Sequence, residues 1–179
     1  MEIFSGKGGM AHKAERCGFG AVAIDIRDNP LLDACDPLLV ARLEGWLSSR
    51  YVMGLWFGTP CSSWSRVRHD LPDGGGPRSS AFLMGKPGLT PADARRVDLG
   101  NRTLGVSIRL IKRAIALHIP TVLENPSTSM MWMVPKLEKV VSKGASSVID
   151  YCQFGKPLRK ELDSFRGTLG SISCQRADA

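Results

Sequence analysis

The stretch GTPCSSWS, residues 58–65, sets Cys61 between a proline and two serines, directly after the apolar run YVMGLWF. A thiolate displayed at a strand end would be a nucleophile, whereas a packed thiol is only a small hydrophobe. Pro60 stiffens the backbone ahead of Cys61, and Arg66 and Arg68 follow closely enough to favour the thiolate. Glu124, in LENP at 123–126, offers a carboxyl group that can hold or share a proton. Its plain alternative is a cap on the turn before Asn125-Pro126. The other four cysteines, Cys17, Cys35, Cys152 and Cys174, read as packed thiols.

The segment FSGKGGM, residues 4–10, is not a phosphate loop. It lacks the required spacing, and no Ser or Thr follows Lys7 where magnesium would need one. Gly6, Gly8 and Gly9 instead let the backbone pass close to a ligand at a helix N-terminus. Asp25 stands 19 residues after Gly6, where a carboxylate can accept from both hydroxyls of a ribose. A loop for an amino-acid end plus a ribose-binding acid suits S-adenosylmethionine. The spacing alone does not separate that ligand from NAD, and a structural tight turn is the plain alternative.

These residues need a scaffold, and the pattern supplies one. Strands are expected at EIF, GAVAID, YVMGLWF, TVLE and SSVIDYCQF. Helices are expected at GMAHKAERC, DPLLVARLEGWLSS, RTLGVSIRLIKRAIALH and WMVPKLEKVVSK, with Gly18 as a stop and Pro in two first turns. Residues 66–100, with DGGGPRSS and GKPGLTP, read as a long loop. Alternating elements predict an α/β fold, a mostly parallel open sheet with helices on both faces. Such sheets bind ligands at the carboxyl ends of their strands. The glycine segment, Asp25, Cys61, Glu124, Gly155 and Arg159 all fall on that edge.

The 179 residues carry a net charge of +7, unevenly placed. Residues 1–60 hold six Lys/Arg against seven Asp/Glu, whereas residues 61–118 hold ten against four. The excess begins at Cys61 and includes Arg66, Arg68, Arg78, Lys86, Arg95, Arg96, Arg102 and Arg109. Cations clustered beside a site suit a polyanion, with nucleic acid the commonest, although a solvated loop and helix face would look the same. No membrane span, zinc-ligand pair or signal peptide is visible, and scattered cysteines suit a reducing, intracellular compartment.

In combination these pieces resemble the cytosine-C5 DNA methyltransferases. FSGKGG is similar to the first motif of that family. GTPCSSWS is similar to its Pro-Cys nucleophile motif, and LENP matches the position of its Glu-Asn motif. YCQFGKPLRK is a looser likeness of the segment that carries a functional arginine. The resemblance implies a Rossmann-like fold that uses S-adenosylmethionine to methylate the 5-carbon of cytosine in nucleic acid, DNA in preference to RNA. It implies that Cys61 adds to the 6-carbon, that Glu124 neutralises charge at N3, and that Arg159 stands near O2. It implies Phe4, Gly6, Gly8, Gly9, Met10, Asp25, Ile26, Asp33 and Pro60 around the cofactor, with Asp36 the alternative to Asp33. Ser65, Arg66, Arg68, Arg78 and Lys86 are then the expected nucleic-acid contacts. A base in a duplex cannot reach such a thiol, so flipping or a single strand is implied.

The departures are as specific as the matches. Cys61 and Glu124 stand 63 positions apart, more than is usual in the family. Leu158 replaces the family's glutamine, and no second arginine follows at the expected spacing. Residues 161–179 read as a divergent, disordered tail after a domain at 1–160, and no separate target-recognition domain is expected. The competing expectation is a cofactor-fold module that binds nucleic acid or a partner without catalysis.

Overall fold

The computed structural model describes residues 1–65, 76–142, 144–150 and 161–168, with backbone alone at 149–150 and 161–168. Four short strands are mutually parallel: β1 (Glu2–Ile3), β2 (Ala23–Ile24), β3 (Leu55–Phe57) and β4 (Thr121–Glu124). Two more, β5 (Ala145–Asp150) and β6 (Glu161–Thr168), complete the order β2-β1-β3-β4-β6-β5. β6 runs antiparallel to both β4 and β5. The helices are α1 (Gly9–Arg16), α2 (Pro37–Ser48), α3 (Pro91–Ala116) and α4 (Pro135–Val141).

Local chemistry explains the element ends. Gly8, at φ 67°, opens α1, and Ala11 N–H donates to the buried Glu2 carboxylate at 2.8 Å. Gly18, at φ 82°, follows its last turn, and Phe19 N–H returns to the Ala14 carbonyl at 3.1 Å, closing the helix with a left-handed glycine. Asp36 caps α2 by accepting from Leu38 N–H at 2.7 Å, with Pro37 in the first turn. Leu39, Val40, Leu43 and Leu47 recur at helical spacing and are buried. They pack in one core with Ile3, Ile24, Phe57, Leu110, Leu123 and Leu137.

Three expectations are corrected here. The third helix begins at Pro91, not Arg102, so the segment expected as loop through residue 100 is helical for its last ten residues. Thr90 and Asp93 cause this: the Thr90 hydroxyl accepts from Asp93 N–H at 3.2 Å, capping the helix one residue before Pro91. The YVMGLWF run forms strand only over its last three residues, and Tyr51 and Met53 are exposed at 90% and 70%. The expected tail at 161–179 is strand over 161–168, so the sheet runs past the expected domain limit at 160.

The strand order fixes where a cleft can form. The chain passes from β1 to β2 on one side, then returns across β1 to β3 on the other. The reversal lies between β1 and β3, where open α/β sheets bind ligands beyond their strand ends. A glycine makes the two strand ends meet there. A Cβ built on Gly58 would sit 2.8 Å from the Phe4 carbonyl oxygen. Gly58→Ala is expected to force those backbones apart and lower stability by about 1–3 kcal/mol. Urea denaturation measures it, and an unchanged midpoint would mean that the approach is not tight.

Candidate active site at the carboxyl edge of the sheet

The site is built from the segments that follow β1, β2, β3 and β4. After β3, the chain turns at Cys61, whose carbonyl accepts from Trp64 N–H at 2.9 Å and Ser65 N–H at 3.0 Å. Cys61 and Pro60 are half-buried at the head of this turn. Anchors lie on either side of the cysteine. The Thr59 hydroxyl lies 2.7 Å from that of Ser107, which donates to the Thr103 carbonyl of α3. The Thr59 carbonyl accepts from Asn125 Nδ2 at 2.6 Å. The Trp64 carbonyl accepts from Met130 N–H at 2.9 Å.

Those last two bonds bring the Glu124 loop to the Cys61 turn. β3 and β4 are paired with Phe57 opposite Leu123, so both loops leave the sheet at the same level. Glu124 is half-buried at the end of β4, and its Oε2 accepts from Trp56 Nε1 at 3.1 Å. Asn125 is buried, and its Oδ1 has no partner among the described residues. Trp132 Nε1 donates to the Pro126 carbonyl at 2.7 Å, which fixes the turn after Asn125. The Cys61 and Glu124 segments, distant in sequence, are therefore adjacent.

The glycine segment and Asp25 also meet. Gly6 N–H donates to Asp25 Oδ2 at 2.8 Å, and Gly6 and Gly8 hold φ values of 62° and 67° that side chains rarely tolerate. Arg27 contacts both Asp25 oxygens, through its own N–H, Nε and Nη2. Burial acts to raise the Asp25 pKa. The Arg27 and Gly6 hydrogen bonds and the Arg27 charge together outweigh it and hold the carboxyl below its ordinary value. A Cβ at Gly6 would sit 2.9 Å from Arg27 Nη2, so that guanidinium lies over the glycine turn. Phe4 packs against the core, Met10 and Ile26 are exposed, and Gly9 faces open space. Asp33 accepts from Cys35 N–H at 2.8 Å, while Asp36 is engaged as the α2 cap.

One expected nucleic-acid contact is corrected. Arg78 is fully buried, and its guanidinium stacks on Trp64 at 3.4 Å from the ring centroid. It is a structural cation, not a contact on the surface. Trp64 is likewise buried and belongs to the core. The basic face is thinner than the sequence count implies, because Arg96 pairs with Asp93 and Arg109 pairs with Glu44. Ser65 and Lys86 are half-buried. Arg66, Arg68 and Arg159 lie outside the described residues. Cys17 is exposed rather than packed, and Cys152 and Cys174 lie outside the described residues. Cys35 lines an open groove of about 290 Å³ between α2 and α3, where burial and then Asp33 push its thiol pKa up.

Sequence reasoning missed three residues that position this edge: Arg78 as a buried hub, Arg27 as the partner of Asp25, and Thr59 as an anchor. Among the described residues no group of acids, cysteines and histidines forms a metal site, and no helix is long and apolar enough to cross a membrane. Comparison of the chain with family models, with curated proteins and with solved structures gives no match.

Asn125→Ala is expected to leave the Thr59 carbonyl without its donor, costing about 1–3 kcal/mol in chemical denaturation. The depressed Asp25 pKa adds stability that is complete above the ordinary aspartate pKa and is lost as pH falls through the folded value. Asp25→Asn should flatten that acidic limb of the stability profile. An unchanged limb would mean that other carboxylates control it.

Proposed function

We propose that this protein transfers a methyl group from S-adenosylmethionine to the 5-carbon of cytosine in nucleic acid, DNA in preference to RNA, through a covalent adduct with Cys61. The observation that carries the reading is the fastening of the Cys61 turn to the Glu124-Asn125 loop by bonds at Thr59 and Trp64. A second support is the α/β sheet, whose parallel strands reverse direction of assembly next to the glycine segment. That arrangement is compatible with a Rossmann-like methyltransferase fold.

The residues present fit the cofactor. Ser5 Oγ is buried without a partner among the described residues, in the same segment as the positive-φ glycines. Gly6, Gly8 and Gly9 would hold the amino-acid end, Asp25 the ribose, and Phe4, Ile26 and Asp33 the adenine. Arg27 must release Asp25 for this. Its side chain is 68% exposed and can swing into water, while Asp25, at 9%, keeps its Gly6 bond and would take the ribose hydroxyls in exchange.

The chemistry follows from a poor nucleophile, the cytosine 5-carbon. The Cys61 thiolate adds to the 6-carbon, and the Glu124 carboxyl gives its proton to N3, so the ring becomes an enamine. Bound S-adenosylmethionine supplies an electrophilic methyl group on sulfur, which the 5-carbon takes. Loss of the 5-carbon proton to water then lets the bond between Cys61 and the 6-carbon break, and N3 returns its proton to Glu124. Pro60 and the turn bonds hold Cys61 while the base is exchanged.

A second reading, a cofactor-fold module that binds without turnover, is favoured by the Arg27 guanidinium covering Gly6 and occupying Asp25. One experiment separates the two. Incubation with labelled cofactor and a 5-fluorocytosine oligonucleotide, single- or double-stranded, should give a denaturant-resistant adduct that Cys61→Ala abolishes. With ordinary cytosine, Glu124→Gln should lower kcat by about 10²–10⁴. No adduct and no transfer to DNA or RNA, with cofactor still bound, would favour the module.

A further inference from the structure

We infer that Arg78 is a positioning residue for Cys61, holding the turn that carries the thiol in register with α3. The inference rests on the cytosine-transfer reading only for what Cys61 attacks; the positioning itself rests on geometry.

All five N–H donors of the Arg78 guanidinium are matched to protein acceptors. Nε donates to the Ser63 carbonyl at 3.0 Å, and Nη2 donates to the Ser63 hydroxyl at 3.0 Å. Nη2 also reaches the Val97 carbonyl of α3 at 3.0 Å. Nη1 donates to Asn101 Oδ1 at 2.9 Å and to the Leu83 carbonyl. Asn101 in turn donates from Nδ2 to the Met84 carbonyl at 3.0 Å. A planar five-donor fork fits this set, and a lysine ammonium with three donors does not.

Three segments therefore converge on one cation: the Cys61–Ser65 turn, the strap around Leu83 and Met84, and the first turns of α3. No carboxylate pairs with it among the described residues, and desolvation lowers its pKa to about 10, which leaves it charged at neutral pH. A buried charge held only by neutral dipoles is costly, and an apolar side chain of the same volume would avoid that cost. What the arginine supplies is shape. It grips Ser63 at two points, two residues after Cys61, and stacks on Trp64. Gly100 leaves room for the cluster: a Cβ there would sit 2.3 Å from Ser63 Oγ and 2.8 Å from Arg78 Nη2.

The test pairs a reaction readout with a reaction-independent one. Arg78→Ala should lower the rate of 5-fluorocytosine adduct formation by about a hundredfold, as expected of a displaced reactive group. S-adenosylmethionine affinity should stay within about threefold, because the glycine segment is held by other bonds. Millimolar guanidinium or methylguanidinium should return part of the rate, and Arg78→Lys should not behave as wild type. In parallel, iodoacetamide alkylation of Cys61, mapped by mass spectrometry, should change severalfold in Arg78→Ala and revert with guanidinium. The exposed Cys17 serves as the unchanged reference. If Arg78→Ala fails to fold, Ser63→Ala removes one acceptor and should show a smaller change of the same kind at Cys61.

Wild-type adduct and alkylation rates in a folded Arg78→Ala protein, or in Ser63→Ala where that protein does not fold, would overturn the inference. So would guanidinium that restores nothing while Arg78→Lys matches wild type. The two failures are separable. A wild type that traps no cytosine but whose Cys61 alkylation responds to Arg78 and guanidinium keeps the positioning role and loses the substrate. A wild type that traps cytosine with indifference to Arg78 does the reverse.

Discussion

Two hydrogen bonds fasten the loop after β3 to the loop after β4, and the candidate site exists because of them. One runs from the Asn125 side chain to the Thr59 carbonyl, the other from Met130 N–H to the Trp64 carbonyl. They straddle Cys61. Parallel pairing of β3 with β4 brings the two loops out of the sheet together, but pairing stops at the strand ends. Beyond that point each backbone group needs its own partner, because a buried carbonyl without a donor is expensive. Asn125 supplies such a donor, and the same bond fixes how the two loops sit. Stability and site geometry are thus carried by the same atoms.

The glycine segment is joined to this edge by close approach of its backbone. Gly58 brings the Phe4 carbonyl against the start of the Cys61 loop, and Gly6 brings a backbone N–H onto Asp25. The parallel strand ends alone would leave three separate turns. With glycine at these places, the turns after β1, β2 and β3 share one edge. The electrostatics are local as well. The Asp25 carboxylate is neutralised by Arg27, and the Arg78 charge is sealed inside, so the net positive charge overstates what a polyanion would meet.

Much of this was legible because chemistry-bearing residues in α/β sheets sit just past strand ends, and short motifs mark those places. Cys61 after an apolar run, Glu124 at the end of TVLE and Asp25 after GAVAI lie at such places. The start of α3 was hidden by GKPGLTP, whose glycines and prolines look like loop, although Thr90 with Asp93 three residues on is a cap in its own right. β6 was hidden because ELDSFRGT mixes charge and glycine into a strand with no apolar face, and only its neighbours β4 and β5 make it strand. Arg78 was misassigned for a simpler reason. Counting charge along a chain assigns each arginine to solvent, and burial depends on acceptors contributed by Ser63, Leu83, Val97 and Asn101, none of which carries a charge.

Arg78 and Arg27 show opposite uses of the same side chain, and the difference follows from exposure. The Arg27 side chain lies largely in water and can swing away from the buried Asp25, which in the proposed function would then take the ribose hydroxyls. Arg78 is out of water, and every donor is matched, so releasing it would break five hydrogen bonds at once. A cofactor site needs the first kind of contact, because ligand must enter and leave. A nucleophile that forms and breaks a covalent bond needs the second, because its backbone must return to one position after each turnover. Under the proposed function, the two arginines divide the edge into an exchangeable half around Asp25 and a rigid half around Cys61, the division that the proposed transfer needs.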